Sequence, residues 1–115
     1  MSASVPFSVA AVPWAERAAD LQAIRREVFV VEQHVPEEEE WDDKDAACRH
    51  VLATVNGAPI GTGRLLPDGH VGRMAVLKAW RGRGVGRAML SLLLALAREA
   101  GFKAVVLHAQ THALN

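Results

Sequence analysis

Three arginines and three glycines fall within seven residues in Arg81-Gly82-Arg83-Gly84-Val85-Gly86-Arg87. Glycines let successive backbone N–H groups converge and let a ligand approach the chain closely. The apolar run that follows reads as a helix, whose first turn adds about four unsatisfied N–H donors and a partial positive charge. Phosphate is the anion that such a terminus suits best. The arginines sharpen the point, because cations at a helix N-terminus oppose the macrodipole by about 0.3–1 kcal/mol each. Arg81, Arg83 and Arg87, with no acid among them, make sense around a polyanion such as a pyrophosphate. The plainer reading is a solvated basic turn. No Gly-Lys-Ser/Thr follows, and the spacing is G-x-G-x-G rather than G-x-G-x-x-G, so ATP and NAD are poor fits.

The elements around this turn set its context. Residues 5–12 are valine-rich and read as a strand closed by Pro13. Residues 14–33 carry Ala18, Leu21, Ile24, Val28 and Val31 at helical spacing, with Arg25, Arg26 and Glu27 expected on the solvent side. Residues 35–45 form a charged loop. Two strand-like runs, 49–55 and 59–66, meet at Asn56-Gly57, a strong hairpin signal. Asp68-Gly69 makes a second turn into a strand over 70–77, completing an antiparallel meander. The helix over 85–100 is apolar nearly all round, which implies burial against a sheet. Gly101 follows as its C-cap. Residues 103–108 read as a buried strand. Residues 110–115 look like the start of another helix. The order β, α, three β, α, β predicts an α+β (mixed α/β) fold with a mostly antiparallel sheet flanked by helices.

The segment R-x-x-G-x-G, preceded by Met74-Ala75-Val76, resembles motif A of the GNAT (N-acetyltransferase) superfamily. That resemblance implies a GNAT-like acyl-CoA N-acyltransferase fold and acetyl-CoA as acetyl donor. It also implies that the backbone of Met74, Ala75 and Val76 lies along the pantetheine. Arg81, Gly82, Arg83, Gly84, Val85, Gly86 and Arg87 would then bind the pyrophosphate. Gln110 falls where the family often has an asparagine contacting the cofactor, and Ala113 matches the small position after it. The run Val28-Phe29-Val30-Val31-Glu32-Gln33, with the acidic loop and Arg64-Leu65, is similar to the ElaA-type branch. GNAT domains usually continue into a helix bearing a tyrosine that serves as general acid, then two more strands. This sequence contains no tyrosine, and the expectation is a single domain over 1–115 that is incomplete at its C-terminus. A cut sheet edge would favour a homodimer.

Acetylation of an amine by direct attack needs a neutral amine, and so a base. His50, at the start of a strand, is the candidate, since an imidazole titrates near neutrality. The alternative is a strand histidine that lies at the surface or is held by hydrogen bonds. Glu39 and Trp41, within the acidic run, could attract and cradle a cationic acceptor; a solvated loop is the plainer reading. Arg64 and Arg73 could bind a substrate carboxylate or simply face solvent. Cys48, the lone cysteine, reads as a small buried hydrophobe rather than a nucleophile. No ligand spacing points to a metal.

Composition bounds the rest. The chain has 115 residues, 50% hydrophobic and 23% charged, with zero formal net charge. One domain with a real core fits, and no global field draws it to nucleic acid or to a membrane. The longest apolar run is too short to span a bilayer, and a cytoplasmic location is expected. Two readings follow: an N-acetyltransferase moving acetyl to a primary amine of a small molecule or peptide, or a non-catalytic acyl-CoA-binding module.

Overall fold

A computed structural model describes residues 6–107. Among the described residues, five strands form one sheet in the order β1-β2-β3-β4-β5. The strands are β1 (Ser8–Val12), β2 (Arg49–Val55), β3 (Ala58–Leu65), β4 (His70–Val76) and β5 (Val106–Leu107). The first four run antiparallel, and β5 pairs parallel to β4. Asn56 and Gly57 have φ of 50° and 82°, both left-handed, as the tight turn of a two-residue hairpin requires.

Helix α1 (Trp14–Arg25) lies on one face of the sheet and α3 (Val85–Glu99) on the other. Alternation along β2 divides the two layers. Val51, Ala53 and Val55 join Val85, Met89, Leu93 and Leu96 in the α3 core. On the opposite layer, Ile24, Val28 and Phe29 pack on Ala75. Gly61 and Gly63 let α3 come close: a Cβ at Gly61 would meet Met89 Cε at 3.1 Å, and one at Gly63 would meet Leu93 Cδ1 at 3.0 Å.

The expected long first helix changes character after Arg25. Residues Arg26–Glu32 form a π-helix, which ends with Gln33 N–H donating to Val28 O, five residues back, at 3.1 Å. The β-branched Val28, Val30 and Val31 crowd an α-helical turn, which fits a looser winding there. Arg25 is also not on the solvent side. Four residues from Leu21, it shares that residue's inner face and is 1% exposed. The acidic loop is partly ordered too, as the short helix α2 (Glu37–Glu40) and a 3₁₀ turn at Asp45–Ala47.

Strand β4 contains a bulge. Thr62 pairs with Ala75 and Arg64 with Gly72, so two steps on β3 face three on β4, with Arg73 at φ 50°. Simple alternation from Val71 would aim Arg73 into the α3 core. The extra residue turns it over to the α1 face. The final strand departs from expectation: only Val106–Leu107 pair, opposite His70 and Val71. They are 52% and 55% exposed rather than buried, since among the described residues β5 has a single strand partner and no helix covers it.

Candidate cofactor and acceptor site

The pairing of β5 with only the first two residues of β4 leaves the end of β4 open on that side among the described residues. Alternate residues of a strand present their backbone groups to the same edge. Val76 O points to the open edge, where Arg81 reaches it, and Met74 shares that edge with it. An extended ligand could pair there as a strand would.

The chain then runs through a 3₁₀ turn at Lys78–Trp80 into the glycine segment. Gly82 and Gly84 have φ of 76° and 86°, and a Cβ on either would meet nothing within 4 Å. Left-handed backbone explains why they are glycine, and the space around them is open. The first helical bond of α3 runs from Ala88 N–H to Gly84 O at 3.0 Å. Val85, Gly86 and Arg87 therefore keep N–H groups without intrahelical acceptors, and no side chain caps the terminus. Val85 is buried and anchors this end to the core, while Arg83 and Arg87 are exposed. The Arg83 guanidinium stacks 5.0 Å above the Trp80 ring.

Arg81 behaves differently from its neighbours. Its Nη1 and Nη2 donate to the two Glu32 carboxylate oxygens at 2.6 and 2.7 Å, and its Nε donates to Val76 O at 2.9 Å. The basic turn thus does have an acid partner, 49 residues away in sequence and invisible to local spacing. Hydrogen bonding from Arg81 holds the Glu32 carboxyl below its ordinary pKa.

Beyond the bulge, on the α1 face, the arginines and acids of the other candidate site meet one another. Arg64 donates to both oxygens of Asp42 at 2.9 and 2.7 Å and to Asp45 at 2.8 Å. Arg25 donates to Glu40 and Asp45, each at 2.8 Å. Arg73 lies 3.5 Å from Glu40 and 3.4 Å from Asp42, and its Nη2 donates to Glu39 O at 3.4 Å. Glu40 is fully buried and Asp45 nearly so. Hydrogen bonds from Arg64 hold the Asp42 carboxyl well below the usual range. Arg64 is therefore neither solvent-facing nor free to grip a substrate carboxylate with the edge that holds Asp42. An open pocket of about 400 Å³, lined by Asp42, Lys44, Arg64, His70 and Arg73 among others, lies over this network.

Glu39 remains exposed. Trp41 already has its ring occupied: the guanidinium groups of Arg25 and Arg26 lie 5.1 and 5.5 Å from its centroid. Its cation–π capacity is used within the chain rather than offered to an acceptor. His50 is 2% exposed, with Nε2 2.7 Å from Asp45 O and its ring stacked on Trp14 at 4.9 Å between centroids. Burial pushes its pKa below the ordinary value. It pairs with Arg64 on β3, which in turn pairs with Gly72 on β4. His50 is thus two strands from β4, and a sealed ring there is not poised to take a proton from an incoming amine. Cys48 is buried, with its Sγ 3.2 Å from Lys44 O, and burial raises its pKa, as suits an inert thiol. Gln110 and Ala113 lie outside the described residues.

The structure thus brings Met74, Ala75, Val76 and the segment from Arg81 to Arg87 together, and it gathers Arg64 and Arg73 into a separate ionic cluster with Arg25, Glu40, Asp42 and Asp45, which Glu39 joins only through its backbone carbonyl. Sequence reasoning missed Glu32, Arg25 and Asp45. For Arg25 alone a signal existed, its four-residue spacing from Leu21.

The acetyltransferase (GNAT) family profile matches residues 16–115 of the chain. The chain is 40% identical to YyaT of Bacillus subtilis over 96 residues, which cover 78% of this chain and 65% of YyaT. It therefore spans just under two thirds of that relative's length. Escherichia coli ElaA superposes with a TM-score of 0.80 at 28% identity, covering 93% of this chain and 80% of ElaA. An acyl-CoA N-acyltransferase from Pseudomonas aeruginosa superposes with a TM-score of 0.79 at 30% identity, covering 93% and 82%.

Proposed function

The chain belongs to the GNAT acetyltransferase family, and on that premise we propose that it moves an acetyl group from acetyl-CoA to a primary amine of a small molecule or peptide by direct attack. The observation that carries the reading is the exposed α3 terminus: orphan N–H groups at Val85, Gly86 and Arg87, open space at Gly82 and Gly84, and an open β4 edge leading into them. The terminus suits a pyrophosphate held by backbone donors, with Arg83 and Arg87 beside it. The outward groups of Met74 and the N–H of Val76 suit the amides of a pantetheine arm, with Ala75 between them and Val76 O held by Arg81.

In the reaction the amine nitrogen bonds to the thioester carbon, the C–S bond breaks, the amine loses a proton and the departing thiolate gains one. When bound, acetyl-CoA supplies the activated acyl group. Backbone N–H groups on the β4 edge would stabilise the oxyanion that forms at its carbonyl. The α1 face of β4, beside Ala75, is where we place the acceptor, with Arg73 and Glu39 at its outer end. We assign the chain to the cytoplasm and to a single domain; among the described residues no helix is long and apolar enough to cross a membrane.

Thermal unfolding with and without acetyl-CoA tests the site. At about 100 times Kd a ligand adds about 2.7 kcal/mol, which for a domain of this size is a rise of about 10 °C in Tm. The Arg83→Glu/Gly84→Glu variant should fold and lose that rise. A wild type that folds and shows no rise refutes the reading. A rise with no release of CoA across a panel of primary amines would favour the non-catalytic binding module.

A further inference from the structure

Three irregularities occur together where the N-terminal helix ends. The chain winds as a π-helix from Arg26 to Glu32, His34 adopts a left-handed φ of 61°, and between them Gln33 buries both ends of its carboxamide. Neither Nε2 nor Oε1 of Gln33 has a hydrogen-bond partner. Each feature is costly, and a buried donor and acceptor left unpaired incur their full desolvation penalty. Such departures persist where the rest of the fold enforces them, and they gather at sites of function.

The fold fastens this segment to the end of β4 on both sides of Gln33. Before it, Glu32 is gripped by Arg81, whose Nε also holds Val76 O. After it, Val35 N–H donates to Phe29 O at 2.8 Å, and Val35 and Leu77 pack on the cluster containing Ala75. Gln33 is thus held beside the strand segment along which the thioester would lie. It is only partly buried as a residue, so rotation about its own χ angles can present the amide to the cleft.

We propose that Gln33 is a substrate-binding residue that reads the reacting pair: its Nε2–H donates to the acetyl carbonyl oxygen, and its Oε1 accepts an N–H of the acceptor amine. The two orphaned atoms call for a partner that both accepts and donates, and a thioester carbonyl with an amine approaching it supplies both. A carboxamide oxygen is too weak a base to remove the amine proton, so Gln33 orients the amine and does not deprotonate it. This inference rests on the acetyl-CoA reading above.

The test compares affinities for acetyl-CoA and free CoA by calorimetry in wild type, Gln33→Met and Gln33→Leu, with Tm measured for each. Methionine keeps the length and loses the polar end. The preference for acetyl-CoA over CoA should shrink by about fivefold to tenfold, the worth of one hydrogen bond to the acyl carbonyl. The Kd for CoA should stay unchanged, and Tm should rise because an orphaned polar group is gone. An unchanged preference overturns the proposal, as does a lowered Tm in both variants, which would make Gln33 a structural residue. If wild type binds CoA with no preference for its acetyl form, the inference fails while the cofactor site stands. If wild type binds neither, the acetyl-CoA reading fails and this inference with it.

Discussion

Replacing Arg25 with methionine would strand the buried Glu40 carboxylate and take one of two arginines from Asp45. In the native fold its Nε and Nη1 each make a 2.8 Å bond, to Glu40 and Asp45, and its Nη2 donates to Glu40 O at 3.1 Å. Glu40 is 0% exposed and Asp45 6%, so neither can turn to water when the guanidinium goes. Asp45 would keep Arg64, and Glu40 would keep only Arg73 at 3.5 Å. Breaking a buried pair by removing one partner costs about 3–5 kcal/mol, because the remaining charge is left uncompensated. Methionine fills much of the volume of the lost side chain, so the cavity contribution is small. For a domain of this length the unfolding entropy converts that loss to a fall of about 12–20 °C in Tm. Thermal and urea unfolding would measure it, with an unchanged m-value confirming that both states keep their surface. Glu40→Gln in the Arg25→Met background should recover part of the loss, since it removes the stranded charge. A drop in Tm below about 4 °C for Arg25→Met, or no recovery in the double variant, would show that Arg25 does not compensate these buried charges as argued.

Two further outcomes follow from the same geometry. Burial depresses the His50 pKa, so the unfolded chain binds the proton more readily; its contribution to stability is present above about pH 6.5 and is lost as pH falls through the folded pKa. His50→Gln should flatten urea stability measured between about pH 7 and 5, and an equally steep loss in the variant would refute the assignment. Arg81→Gln should lower stability by about 0.5–1 kcal/mol, as a partly exposed clamp on Glu32 would, and should weaken CoA binding far less than Arg83→Gln with Arg87→Gln. A loss of CoA affinity from Arg81→Gln as large as from that pair would make it a phosphate ligand instead.

The legible parts of this chain were those written in local chemistry. Asn56-Gly57 demands left-handed backbone, and Gly84 before an apolar helical run demands an exposed N-terminus; both signals sit within a few residues of what they determine. The α3 core was legible for the same reason, because Val85, Met89, Leu93 and Leu96 repeat at helical spacing. What could not be read was pairing over distance. Nothing near residue 81 announces that Glu32 will grip it, and nothing near the acidic run announces three arginines from α1, β3 and β4. The bulge at Arg73 is equally silent, since a one-residue register shift depends on how β4 fits β3 rather than on its own composition. The burial of His50 follows from the same cause: a histidine on a half-buried strand and one sealed against Trp14 have the same local sequence.

That distant pairing bears on how an acceptor would be recognised if the proposed activity holds. An acidic run of this density suggests a long-range attraction for cationic amines. In the folded chain, however, Glu40, Asp42 and Asp45 face Arg25, Arg64 and Arg73, three charges against three. Glu37 is engaged by Arg26 as well. The acids left facing solvent, Glu38, Glu39 and Asp43, act through water and are screened within about 8 Å at physiological salt. A balanced network also gives little net pull at the proposed acceptor position on the α1 face of β4, because fields of opposite sign cancel there. On the proposed reading, selection of the amine would be left to short-range contacts, such as shape against the α1 face and hydrogen bonds from neutral groups like the Gln33 carboxamide. On this argument kcat/KM for a good acceptor should depend weakly on ionic strength; a steep decline with added salt would return the acidic run to the role its sequence suggests.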